Sequence, residues 1–88
     1  MPLTVIYSKR ALKIINKIPR KDGQALSDKI DVYAARPFDT HLWAKQMVGS
    51  DKIRIRHGQW RAICSVDNPA LVLDVVRVGH RRDIYSRK

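Results

Sequence analysis

The sequence contains no glutamate: all eight of its acidic residues are aspartates, set against eighteen lysines and arginines. A two-carboxylate mechanism therefore has little support, since Asp67 and Asp74 fall in turn and strand settings rather than as a matched pair. Cys64 is the single cysteine, which excludes an internal disulfide and suits a reducing compartment. Within "RAICSV" it reads as a small buried hydrophobe, not a nucleophile. The three histidines and Cys64 lack paired ligand spacing, so neither a metal site nor another cofactor is expected. No apolar run approaches the roughly 18 residues of a membrane span. The N-terminus has neither the apolar region nor the cleavage site of a signal peptide. A cytoplasmic protein without membrane contact is expected.

What is present is a basic, globular composition. The 88 residues are 44% hydrophobic and 30% charged, with a net charge of +10. That length encloses one core, so one domain over residues 1–88 is expected, of modest stability unless a partner covers apolar surface. Residues 1–50 carry nine basic and four acidic residues, and so do residues 51–88. The excess is spread through the body, and it favours a polyanion partner because each neutralised phosphate releases counterions.

The chain opens with "LTVIY" (3–7), a β-branched and aromatic run that reads as a strand. Ser8 fits a helix N-cap, and "KRALKIINKI" puts Ala11, Ile14, Ile15 and Ile18 on one face. Lys9, Arg10, Lys13 and Lys17 fall mainly on the other. Pro19 separates this helix from a second over 20–36, with Leu26, Ile30, Tyr33 and Ala34 at helical spacing and Arg36-Pro37 as its end. The stretch "PFDTHLWAKQMVGSD" has no period and reads mostly as loop, pinned by Leu42, Trp43 and Met47. From Lys52 the period becomes two: "KIRIR" sets Ile53 and Ile55 against Lys52, Arg54 and Arg56. "HGQ" and "DNPA" read as turns around the strand "WRAICSV", with His41 and His57 in turns and Trp60 in the core. "LVLDVVRV" reads as a last strand buried on both faces, leaving the sheet at Gly79. The order β-α-α-β-β-β predicts an α+β fold: a helical hairpin on one face of a small, mainly antiparallel twisted sheet.

The other face of that sheet is where charge should collect. Lys52, Arg54 and Arg56 project together, about 7 Å apart, and like charges so placed repel unless an anion joins them. Arg61 lies just past the turn. The stretch "VRVGHRRDIY" then delivers His80, Arg81, Arg82 and Tyr85 to the expected rim. Planar guanidiniums suit a phosphodiester, a phenol stacks on bases, and an imidazole titrates near neutrality. Arginine stays protonated, so RNA cleavage by such a site leaves Lys52 or His80 for acid–base work, with Tyr85 as a further donor. Lys13, Lys17 and Lys45, with Arg56 and Arg82, are expected to contact RNA.

"YSKRALKIINKIP", "MVGSDKIRIRHGQWRAICSV" and "LVLDVVRVGHRRDIY" together resemble the RelE/ParE superfamily of type II toxin–antitoxin toxins, over nearly the whole chain. The resemblance implies two helices on a small antiparallel sheet. RelE-type members imply a ribosome-dependent mRNA endonuclease that cuts in the A site by 2′-hydroxyl attack, without metal. Their site residues map onto Lys52, Arg54, Arg56, Arg61, Arg81 and the aromatic Tyr85. Arg54 stands where a lysine can serve, which moves the base to His80 or Lys52. The implied partners are the ribosome, mRNA and an antitoxin that wraps and blocks the toxin as a hetero-oligomer. ParE-type members share the scaffold but poison DNA gyrase. "HRRD" does not separate the two; "KIRIR" and Tyr85 lean toward the nuclease. A non-catalytic basic RNA-binding module explains the charge but not the gathering of Tyr, His and Arg.

Overall fold

A computed structural model describes residues 2–37 and 39–84. Strand β1 (Thr4–Tyr7) leads into helix α1 (Lys9–Ile15), helix α2 (Arg20–Ala35) and strands β2 (Ala44–Gln46), β3 (Lys52–His57), β4 (Trp60–Asp67) and β5 (Val72–His80). The five strands form one sheet in the order β1-β5-β4-β3-β2. β1 runs parallel to β5, and the remaining pairs are antiparallel. This is the expected α+β architecture, with one strand more than the sequence pattern offered.

Ser8 caps α1 as its position suggests. Its hydroxyl accepts the Ala11 N–H at 3.0 Å and donates to the Val76 carbonyl at 2.9 Å, fastening the helix start to β5. α1 ends at Ile15, before the expected limit, and Ile18 is buried in the turn that follows. Pro19 stands at the N-cap of α2. The two helices approach so closely that a Cβ on Gly23 would lie 2.9 Å from the Ile15 carbonyl oxygen.

Leu26, Ile30, Tyr33 and Ala34 of α2 join Ala11 against Ile55, Ala62, Cys64, Leu73, Val75 and Val78 of the sheet. Both helices therefore cover the same side. At roughly 1.5–3 kcal/mol for each large apolar side chain, this burial is the main stabilising contribution.

Several expectations need correcting. The segment read as loop contains β2, a three-residue edge strand too short to show a period. Trp43 packs on the core, Met47 is half-buried, but Leu42 is 86% exposed and anchors nothing. His57 is the last residue of β3, and Gly58, with φ +57°, makes the turn with Gln59. β5 does not leave the sheet at Gly79; it continues to His80. Nor is it buried on both faces. Cys64 pairs with Val75 and Ile63 with Arg77, so Val76 is the extra residue of a β-bulge. The bulge places two valines in succession and mimics a doubly buried strand, while Val76 stays 36% exposed.

Candidate nucleic-acid interface

The side of the sheet away from the helices carries no helix, although Ile84 of the turn after β5 packs against Gly79 there, and its residues follow from strand alternation and register. One row across it reads Ile6, Asp74, Ser65, Lys52. The next reads Arg77, Ile63, Arg54, Lys45, and a third reads Gly79, Arg61, Arg56. These rows hold Lys45, Lys52, Arg54, Arg56, Arg61 and Arg77, with Asp74 as their one acid. Ile63, in register between Arg77 and Arg54, is buried.

Directly opposed side chains on antiparallel strands sit about 5 Å apart at Cβ, and like charges there destabilise. Arg56 and Arg61 are such a pair. Their guanidiniums turn apart toward backbone oxygens. Arg61 Nη1 donates to the Gly58 carbonyl at 2.8 Å and to the Trp60 carbonyl at 3.0 Å. Arg56 Nη2 reaches the Leu42 carbonyl at 3.5 Å. Lys52 Nζ has Asp51 at 3.4 Å, a surface contact of small energetic value.

The hairpin carrying Arg56 and Arg61 is braced from behind by α2. Asp22 accepts the Trp60 indole N–H at 3.2 Å and lies 3.6 Å from His57 Nε2. Lys29 Nζ donates to the Arg56 carbonyl at 3.3 Å and has His57 Nδ1 at the same distance. Burial, then the nearby Arg56 guanidinium, pushes the Lys29 pKa below the ordinary lysine value. Lys29 also stands 5.9 Å from the centre of the Trp43 ring, which stacks on His41 at 4.7 Å. This brace was not visible in the sequence, because Asp22 and Trp60 are 38 positions apart.

Of the residues expected to converge, Lys52, Arg54, Arg56, Arg61 and Lys45 share the open face. His80 does not. It pairs with Trp60 on the helical side of the sheet and meets that ring edge-on at 5.5 Å. Its Nδ1 accepts the Arg82 N–H at 3.1 Å and its Nε2 lies 2.8 Å from Gln59 Oε1, an arrangement that suits neutral imidazole. The reason is parity: β5 extends two residues further than expected, and alternation turns His80 inward. Arg81 follows with its N–H on the Gln59 carbonyl at 2.7 Å, and it and Arg82 are exposed at the rim. Lys13 in α1 and Lys17 in the next turn belong to the helical layer, away from this face. Tyr85 lies outside the described residues. Arg77 was missed, since the strand bearing it read as buried on both sides; the Val75-Val76 doublet beside Asp74 is the signal that marks the bulge. Among the described residues, no group of three or more His, Cys or Asp side chains is placed to hold a metal ion.

The model of the ParE toxin of type II toxin–antitoxin systems (parDE) matches residues 5–85. The chain belongs to this toxin family. The superfamily expected from "YSKRALKIINKIP", "MVGSDKIRIRHGQWRAICSV" and "LVLDVVRVGHRRDIY", RelE/ParE, is thereby established, and the protein is a type II toxin. The fold of this toxin agrees with solved structures. It matches the intact Escherichia coli RelBE toxin–antitoxin complex with a TM-score of 0.76 at 22% identity, over 89% of this chain and 95% of that one. An archaeal RelE–RelB complex from Pyrococcus horikoshii matches with 0.75 at 21% identity, over 94% and 99%. The isolated E. coli RelE toxin matches with 0.73 at 21% identity, over 94% and 90%. At such identities the likeness concerns the fold alone. No curated protein sequence matches the toxin. Among the described residues, none of its helices is long and apolar enough to cross a membrane.

Proposed function

We propose that this toxin is an mRNA endonuclease that works on translating ribosomes in the cytoplasm and is silenced by an antitoxin. The observation that carries this reading is the helix-free sheet face on which Lys52, Arg54, Arg56 and Arg61 share one side across adjacent strands. A ribose 2′-hydroxyl attacking the adjacent phosphorus builds a pentavalent centre with extra negative charge. Cations aimed at that charge lower its energy without being consumed. The guanidiniums of Arg54, Arg61 and Arg81 supply this stabilisation and remain protonated throughout.

Proton transfer falls to an amine, because His80 lies on the other side of the sheet. Lys52 is the first choice. Lys45 is the second: it stands directly opposite Arg54, beside the position where RelE-type sites can carry a lysine. Tyr85 adds a stacking surface or a donor near the C-terminus. The structures sharing this fold include complexes with antitoxin, and Leu12, Val32, Leu42 and Val48 are exposed apolar residues suited to such a partner.

One observation favours a second reading, poisoning of DNA gyrase: the matching family model is that of ParE. Both readings are separated by adding the toxin to a translating extract and mapping mRNA ends, alongside a supercoiling assay. Fragments with discrete ends and unimpaired supercoiling are expected. Intact message together with blocked supercoiling would select the gyrase reading.

A further inference from the structure

Asp74 is anomalous on a surface built for phosphate, because a carboxylate there repels the polyanion that the surrounding cations attract. It belongs to a shallow concavity of about 400 Å³ lined by Ile6, Ser8, Lys52, Ser65, Val75 and Val76. Two of those side chains offer open apolar surface: Ile6 is 48% exposed and Val76 36%. Among the described residues, no ion pair within 4 Å involves Asp74, so its acceptor oxygens stay available at the edge of the concavity.

We propose that this concavity is a base-recognition subsite in which Asp74 reads the Watson–Crick edge of a guanine. The proposal rests on the nuclease reading and names the specificity element of the same face. An ionised carboxylate only accepts hydrogen bonds. Guanine alone among the four bases presents two adjacent donors, N1–H and N2–H, which two carboxylate oxygens bind together. Adenine and cytosine each place a ring acceptor beside their amino group, and uracil flanks its single N–H with carbonyl oxygens. Each of those three sets an oxygen or nitrogen lone pair against the carboxylate. Ile6 and Val76 offer apolar surface to the face of the base. Lys52 lies two strands from Asp74, about 10 Å, which matches the reach from the edge of a base to its own phosphate. Ser65 stands between them in register and serves the sugar.

The test uses the full chain and two free nucleotides, guanosine and adenosine 5′-monophosphate, followed by backbone amide NMR. Guanosine monophosphate is expected to shift the amides of Ile6, Ser65, Asp74 and Val76 and to bind at least about fivefold more tightly than the adenosine nucleotide. Asp74→Asn should abolish that preference, and the same spectra report that the variant is folded. Equal affinity for both nucleotides, shifts at other residues only, no shifts, or an undiminished preference in Asp74→Asn overturns the proposal. Mapping mRNA ends separates the two layers. Guanosine selectivity with intact message sinks the nuclease reading and leaves the subsite standing, whereas cleavage without nucleotide preference does the reverse.

Discussion

Arg56 and Arg61 oppose one another across the β3–β4 ladder, with no carboxylate paired to either among the described residues, an arrangement that costs stability until an anion arrives. His80 has the contrary character: each ring nitrogen has a partner inside the fold, and its neighbour is the Trp60 ring. His80→Ala should therefore lower stability by about 1 kcal/mol in urea titration while mRNA cleavage stays within about threefold of the parent. A hundredfold loss of cleavage at unchanged stability would return His80 to the chemistry. Cys64 offers a test by pH. Burial pushes its thiol from 9.0 up to about 12. The folded value lies above the unfolded one, so the stabilising contribution is whole below pH 9 and fades as pH climbs toward 12. Between those limits the parent should lose about 1 kcal/mol per pH unit more than Cys64→Ala. Parallel stability curves for the two proteins would contradict this. "KIRIR" was legible at this scale because its charges alternate with isoleucines. The direction of His80 was not, since it depends on how many residues β5 keeps in the sheet.

The elements owe their placement to a few close contacts. Gly23 is helical, and an alanine there gains about 1 kcal/mol of helix propensity. The added Cβ would nonetheless press on the Ile15 backbone oxygen at 2.9 Å, which no rotamer change relieves. Gly23→Ala should lower stability by about 1–3 kcal/mol, read as a lower urea midpoint at constant slope. A higher midpoint would show that the α1–α2 turn yields freely. The helices were readable from their apolar spacing and from Ser8, Pro19 and Arg36-Pro37. β2 was not, because three residues carry no period and their strand state comes from pairing with β3. The bulge at Val76 misled for a similar reason: it breaks alternation in sequence while preserving it in space, so Leu73, Val75 and Val78 all face the core.

As a whole, the molecule has a net charge of +10, and among the described residues two groups of cations lie on opposite sides of the fold. One is the helical layer with Lys9, Arg10, Lys13 and Lys17; the other is the open sheet face. Composition alone could not rank them, and the alternation in β3 with the register across β4 and β5 does. Family membership and the α+β order were within reach of the sequence, while the division of cations between two layers required coordinates. The decisive measurement compares two charge-matched double variants by quantitative mapping of mRNA ends in a translating extract, with folding verified by thermal melts. Lys52→Ala with Arg61→Ala should reduce cleavage at least about a hundredfold. Lys13→Ala with Lys17→Ala, which removes the same two charges from the helical layer, should reduce it less than about tenfold. Equal losses from the two pairs, or a larger loss from the helical pair, would contradict a reaction centre on the open face of the sheet.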